Sequence, residues 1–312
     1  MVIGVHYNLA ALGQGLSGCV VDLKDNVAVK AYHSEGLHEP RLHRDREAHF
    51  LRELENTDLN SPQYIAEATH SDLREPAIPI LTMSVLNSQF RAHDEIIIEN
   101  LDRLGKLGHV LGMQLTRLHA LKPKKFHEDG QKSVLQLMIE QTRAFDVNVE
   151  KRQWFYSDLA SKLAEIEKQV CPVFCHGDFN LANIGFVEGT SEPEALIDFA
   201  YSGYGMPETD FVYMQEPEMF EEAVKTYYQA TGHNISPDRL KMASLVNNVR
   251  AMITFEHYLA QDLSEEDRQF FEDERQHAHH DVIEATGALG IVNFVFAGSP
   301  PSPDTGSKPS SP

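Results

Sequence analysis

The apolar positions of this chain change their period once, about a quarter of the way along. Up to residue 86 they come in short runs separated by turn formers, the signature of strands. Val5–Leu12 alternates into a glycine-rich loop, Cys19–Leu23 follows, Lys24-Asp25-Asn26 makes a turn, and Val27–Tyr32 returns, which predicts a meander with a tight hairpin. Glu39–Leu54 has helical spacing, with Leu42, Phe50, Leu51 and Leu54 available for one face. Tyr64–Thr69 and Ile78–Leu86 read as two more strands around the turn-forming Asp72-Leu73-Arg74-Glu75-Pro76. Beyond this point the spacing is helical. Leu104, Leu107, Leu111, Leu115 and Leu118 recur at three and four within Leu101–Leu121, a buried helix face. Helices are expected near 131–146 and 154–168, short strands at Val173–Cys175, Ile184–Val187 and Ala195–Phe199, and helices again at 217–231, 237–261 and 264–285. The last stretch, Gly298–Pro312, is dominated by Pro, Ser and Gly and is expected to be disordered. An α+β organisation follows: a small sheet with one helix in residues 1–86, a mostly helical unit in 87–297, and a tail at 298–312.

Composition narrows the classes. Of 312 residues 42% are hydrophobic and 24% charged, a balance that builds a folded core rather than a disordered chain. Lys and Arg number 27 against 47 Asp and Glu, a net charge of −20, which excludes a nucleic-acid binder that works by neutralising phosphates. The three cysteines, Cys19, Cys171 and Cys175, cannot frame a disulfide scaffold and are read as reduced thiols in the cytoplasm. Met1–His6 has no basic flank and no long apolar core, and the most apolar windows, Ile78–Leu86 and Leu289–Gly298, are too short to span a bilayer. No membrane partner is expected, and nothing in the pattern fixes an oligomeric state.

Gly13-Gln14-Gly15-Leu16-Ser17-Gly18 spells G-x-G-x-x-G. In a dinucleotide fold the third glycine opens a helix. Here Cys19-Val20-Val21-Asp22-Leu23 continues as a strand into a turn, so the loop joins two strands, as a kinase phosphate flap does. Gly13, Gly15, Ser17 and Gly18 then lie over phosphates, and Val20 takes the position that caps an adenine ring. Val27-Ala28-Val29-Lys30 ends an apolar strand on a lysine, whose amine in that arrangement holds the α- and β-phosphates and is oriented by a helix glutamate. Glu47 on the next helix is the candidate, with Glu53 and Glu39 as weaker alternatives.

Cys175-His176-Gly177-Asp178-Phe179-Asn180-Leu181-Ala182-Asn183 fits H-x-D-x-x-x-x-N, in which the aspartate accepts the acceptor's hydroxyl proton and the asparagine binds magnesium. Ala195-Leu196-Ile197-Asp198-Phe199 then places a carboxylate where it would bridge Mg²⁺ to the phosphates. With these residues the sequence resembles the aminoglycoside phosphotransferase and choline kinase-like family, a branch of the protein-kinase-like fold. Gly203-Tyr204-Gly205-Met206-Pro207-Glu208-Thr209-Asp210-Phe211 is similar to that family's G-x-P-x-x-D-L stretch, and the likeness runs from about residue 5 to 285. Asn180-Leu181 stands where the family usually has His-Pro, and Phe199-Ala200 where many relatives have Trp-Glu. The resemblance implies a bilobal fold, ATP and Mg²⁺ as cofactors, Asp178 as base, Asn183 and Asp198 as metal ligands, and structural roles for His176 and Asp210. Ser84 and Leu86, in the linker Met83–Leu86, are expected to meet the adenine through their backbone.

Asp198 and Asp210 stand too close for a peptide-binding activation segment, no A-P-E motif follows, and Gly177 replaces the arginine of protein kinases. These features favour a small-molecule kinase over a protein kinase, and retention of Lys30, Asp178, Asn183 and Asp198 argues against a non-catalytic nucleotide binder. Residues 201–290 hold 17 Asp and Glu against 6 Lys and Arg, which suits an amine-bearing alcohol as acceptor. Glu216, Glu218 and Glu256 are its deeper candidate contacts. The clusters Glu265-Glu266-Asp267 and Glu272-Asp273-Glu274, and the histidines of His277-Ala278-His279-His280, read more simply as solvated helix.

Overall fold

The computed structural model describes residues 10–15, 18–22, 27–32, 40–70, 78–84, 86, 88, 90–91, 93–187, 190, 192–261 and 264–291. Side chains within 10–22 and at 70, 93 and 94 are outside that description, as are the turns expected at 24–26 and 72–76 and the tail at 298–312.

Strands β1 (Ala10–Gly15), β2 (Gly18–Asp22), β3 (Val27–Tyr32), β4 (Tyr64–His70) and β5 (Ile78–Ser84) form one antiparallel sheet in the order β1-β2-β3-β5-β4. Period two explains its faces: Ala28, Lys30 and Tyr32 on β3 and Leu81 and Met83 on β5 point inward while their neighbours are half-exposed. Helix α1 (Pro40–Leu54) lies against β3, β4 and β5 and buries Glu47, Ala48, Phe50, Leu51 and Leu54.

The remainder is mainly helical: α2 (His93–Glu99), α3 (Leu104–Ala120), α4 (Val134–Phe145), α5 (Val149–Glu167), α6 (Glu208–Phe211), α7 (Pro217–Thr231), α8 (Pro237–Leu259) and α9 (Glu265–Leu289). Two short antiparallel pairs interrupt it, β6 (Val173–Cys175) with β9 (Gly203–Gly205), and β7 (Ile184–Phe186) with β8 (Pro193–Leu196). The leucines of α3 all face inward. Its Gly108 and Gly112 bring α7 to backbone contact: a Cβ would stand 2.1 Å from the Met219 carbonyl oxygen at Gly108 and 2.6 Å from that of Ala223 at Gly112. Ser133 and Gln136 close a capping box at the start of α4, and Gly232 and Gly290 end α7 and α9 in the left-handed region.

Several elements differ from the spacing. Helices α2 and α6 and strand β9 lie where the spacing predicts none, and β1 continues to Gly15, through the first glycines of the expected loop. α5 begins at Val149 rather than 154, because its first turns bury few residues and Trp154 is exposed. The strand expected over Ala195–Phe199 stops at Leu196, since Asp198 turns left-handed and Phe199–Tyr201 coils into a 3₁₀ turn. No described helix is long and apolar enough to cross a membrane.

Candidate active site

Lys30 is the centre of the site. Alternation on β3 turns it inward, where its Nζ lies 2.8 Å from Glu47 Oε2 on α1 and 2.7 Å from Asp198 Oδ1. Tyr32, two residues on and therefore on the same face, donates its hydroxyl to the same Glu47 oxygen. Burial alone would depress the Lys30 amine, but the two carboxylates outweigh it and hold it above its ordinary value. Burial likewise pushes Asp198 up, and Lys30 reverses this to leave the carboxyl below the usual range. Burial raises Glu47, with Lys30 opposing. Asp198 has φ 65°, a left-handed conformation that a non-glycine residue keeps only where its surroundings hold it.

The stretch after β6 is fixed from several sides. Buried Asp210 accepts the backbone N–H groups of His176 (2.9 Å) and Gly177 (2.8 Å) and lies 3.0 Å from His119 Nε2. His176 Nε2 meets the Ile197 carbonyl at 2.8 Å, while its Nδ1 accepts the Asp178 N–H at 3.3 Å. Those partners require the neutral tautomer protonated on Nε2. One histidine thus ties the segment before Asp178 to the segment before Asp198. Gly177, at φ 81°, cannot be replaced by a larger residue without displacing Tyr201, whose carbonyl oxygen would sit 2.4 Å from its Cβ. Asn183 donates through Nδ2 to the Asp178 carbonyl (2.9 Å) and carboxylate (3.1 Å), which leaves its amide oxygen as an acceptor. Hard oxygens of this kind, the Asn183 amide and the Asp198 carboxylate, are the donors a magnesium ion prefers.

A second cluster, His119, Cys175 and Asp210, has ligand-type atoms close together but is a hydrogen-bonded brace. The Asp210 oxygens are already engaged, and the Cys175 thiol faces the Met206 carbonyl and is pushed far above its ordinary value by burial.

The comparisons fit this geometry. A family model described as the phosphotransferase enzyme family matches residues 9–245. The chain belongs to that family. No curated protein sequence matches it. Among solved structures, this phosphotransferase is similar to the gentamicin complex of APH(2")-IIa at 15% identity, with a TM-score of 0.62 over 91% of this chain and 93% of that one. The ADP-bound aminoglycoside phosphotransferase APH(2'')-Ib gives 17% identity and 0.59 over 92% and 95%. A choline/ethanolamine kinase family protein from Mesorhizobium loti gives 17% identity and 0.54 over 92% and 93%. The fold is thus the bilobal α+β kinase-like one, and the chain is a member of a phosphotransferase family.

Of the expected residues, the structure brings Lys30, Glu47 and Asp198 together, and Asp178 with Asn183. Glu53 instead accepts the Lys124 N–H, and Glu39 lies outside the described residues. Gly13 pairs with Val20 and Gly15 with Gly18 across β1 and β2, and Val20 in turn pairs with Lys30. Ser17 and Val85 fall outside the described residues. The Ser84 N–H is taken by the Gln63 carbonyl at 2.9 Å, so its own amide is not free for an adenine, and Leu86 is half-buried. Glu256 is gripped at both oxygens by Arg152 (2.8 and 3.0 Å), Glu218 is exposed, and Glu216 precedes α7. The acidic residues 265–267 are solvated, as expected of a helix face.

Sequence reasoning passed over Tyr32, Tyr201, Tyr213, Asn247 and Arg250. The i, i+2 spacing from Lys30 was a usable signal for Tyr32. Tyr201 follows Asp198 by three residues, while Tyr213, Asn247 and Arg250 come from later segments and left no signal.

Proposed function

We propose that this protein moves the γ-phosphoryl group of ATP to a hydroxyl of a small, amine-bearing molecule. The observation that carries the reading is Lys30 bridging Glu47 and Asp198 beside the Asp178–Asn183 segment. The part within 1–86 takes the nucleotide: the glycines of β1 and β2 offer backbone N–H groups, and Lys30, oriented by Glu47 and Tyr32, neutralises phosphate charge. The part within 87–297 takes the acceptor. Asp178 receives the hydroxyl proton as the acceptor oxygen bonds to the γ-phosphorus, and the bond from that phosphorus to the β,γ-bridging oxygen breaks to release ADP. Asn183 and Asp198 would hold Mg²⁺, which when bound draws charge from the phosphate oxygens.

The amine expectation is supported by the acidic excess of 201–290 and by the aminoglycoside and choline/ethanolamine kinases among the structural neighbours. A cavity of about 510 Å³ with Lys241, Asp281 and Glu284 in its walls touches none of Lys30, Asp178, Asn183 and Asp198 and does not hold the reacting groups. Against a peptide substrate, the residues from Asp198 to Asp210 are consumed by a 3₁₀ turn, β9 and the start of α6. An ATP-using enzyme with reduced thiols fits the cytoplasm.

The test is mass-spectrometric screening of pooled amino alcohols, aminoglycosides and a generic protein with Mg·ATP, using wild type and Asp178→Asn. Asp178→Asn is expected to keep nucleotide binding and to lower kcat by about 10²–10⁴. Full turnover in the variant would remove Asp178 from the chemistry, and labelled protein with no labelled metabolite would favour a protein kinase.

A further inference from the structure

Among the described residues the buried and half-buried arginines have carboxylates, with one exception near the site, the half-buried Arg250. Arg46 pairs with Asp129, Arg152 with Asp146 and Glu256, and half-buried Arg239 with Glu208. Arg250, on α8, makes no ion pair among the described residues. Its guanidinium carbon lies 4.0 Å over the centre of the Tyr201 ring, and its Nη1 is shut off from solvent with no hydrogen-bond partner. A buried guanidinium nitrogen without an acceptor is unfavourable by itself. In a chain with 47 acidic residues, no carboxylate is in ion-pair contact with this guanidinium among the described residues, which leaves Nη1 for an acceptor from outside the chain.

The position of Arg250 says what that could be. Tyr201, on which it stacks, packs against Gly177, the residue before Asp178. One turn earlier on α8, Asn247 Oδ1 lies 3.2 Å from the Tyr213 hydroxyl, which is itself 3.0 Å from the Gly177 carbonyl. Arg250, Asn247, Tyr201 and Tyr213 therefore line the Asp178 segment, with Tyr201 also reaching His43 of α1. The field at the guanidinium is consistent with this. Burial works against its charge, and the Asp178 and Asp198 carboxylates favour it.

We propose that Arg250 receives an oxyanion of the acceptor, a carboxylate or phosphate borne close to the hydroxyl that is phosphorylated. The inference rests on the phosphotransferase reading of Asp178 and adds a second recognition element to it. Arg suits the role because its planar fork of donors matches the two oxygens of either group, and stacking on Tyr201 holds that plane still. An amine on the acceptor remains compatible, since a hydroxylated zwitterion carries both charges. A purely cationic alcohol leaves Nη1 without an acceptor.

The test uses the full chain loaded with Mg²⁺ and a non-hydrolysable ATP analogue, so that the γ-phosphate position is filled. Melting temperature is followed with matched probes that differ in the anion: glycolate against ethylene glycol, L-serine against ethanolamine, and glycerol 3-phosphate against glycerol, with chloride balancing ionic strength. At least one anionic member is expected to stabilise wild type more than its neutral or cationic counterpart, with the difference absent in Arg250→Gln and partly kept in Arg250→Lys. Carboxylate and phosphate sources are separated by which pair responds. With Mg·ATP, the KM of the responding acceptor is expected to rise about 10- to 100-fold in Arg250→Gln, with the KM for ATP unchanged.

If the nucleotide analogue binds but no anionic probe distinguishes wild type from Arg250→Gln, the oxyanion site is wrong. A fall in kcat for every acceptor at constant KM would place Arg250 on the transferred phosphoryl and also overturn it. Failure of the analogue to bind at all would instead sink the phosphotransferase reading beneath it. Should Arg250→Gln not fold, Arg250→Lys, which keeps charge but loses the fork, carries the same comparison.

Discussion

Replacing Asp210 with asparagine keeps the shape of the side chain and removes one of its two acceptor ends. In the protein Oδ1 takes the Gly177 N–H, and Oδ2 takes the His176 N–H and faces His119. An asparagine can put its oxygen at only one of these places. His119 can adjust, because its other nitrogen faces the Tyr227 hydroxyl, which can donate or accept. The backbone N–H groups cannot. One of them must then face an NH₂ group in a site closed to water, a loss of about 1–3 kcal/mol for the stranded donor. The surviving bonds also weaken when their acceptor is neutral, by roughly 1 kcal/mol. Asp210→Asn should therefore be less stable by about 2–4 kcal/mol, read as a lower urea midpoint at unchanged slope. Hydrogen exchange should show faster opening at the amides of His176 and Gly177, and kcat should fall because these residues set the position of Asp178. A variant within 1 kcal/mol of wild type, with the same amide protection, would refute the claim that Asp210 holds this segment.

Acid stability should depend on Asp198. Its folded carboxyl lies below the ordinary range, so the unfolded chain binds more protons and this group's stabilisation is present above about pH 4 and lost as pH falls through the lowered value. Urea melts between pH 2 and 6 should be less steep in pH for Asp198→Asn, and an unchanged slope would detach Lys30 from that effect. The Lys30 amine, held above its ordinary value, keeps its share of the stabilisation up to and beyond about pH 10. At the seam between α3 and α7, Gly108→Ala forces a methyl group against the Met219 backbone and should cost about 1–3 kcal/mol or more. A melting temperature equal to wild type would show that the two helices can part without penalty.

The parts of the site that were legible in the sequence are those that sit in one contiguous stretch or end an element. Val27–Lys30, His176–Asn183 and Ile197-Asp198 each pair a short apolar run with a polar residue that has no reason to be there structurally. The α3 leucines and the helices from 217 onward were equally open to reading, because their faces repeat. What was hidden has a common cause. Nothing in an apolar pattern encodes the sign of φ at Asp198, and so the strand was extended past its true end. Tyr213, in the turn after α6, and Asn247 and Arg250, on α8, meet near the Asp178 segment only through tertiary packing. The Arg152 partner of Glu256 was equally hidden, because it lies on a helix about a hundred positions earlier.

Helix α1 packs on the sheet, yet it is also clasped from the helical side. Arg46 reaches Asp129, the His49 ring meets the Lys124 carbonyl, and Glu53 accepts the Lys124 N–H. These three contacts lie on successive turns, with Glu47 beside the first. A glutamate on a loosely held helix can act as a switch, swinging away from its lysine to disarm a site. Here such a swing would have to break a buried ion pair and two further bonds before Glu47 moved at all. The helix therefore behaves as a fixed post. Its inner face keeps Glu47 opposite Lys30 while its outer turns are tied to the helical part of the chain.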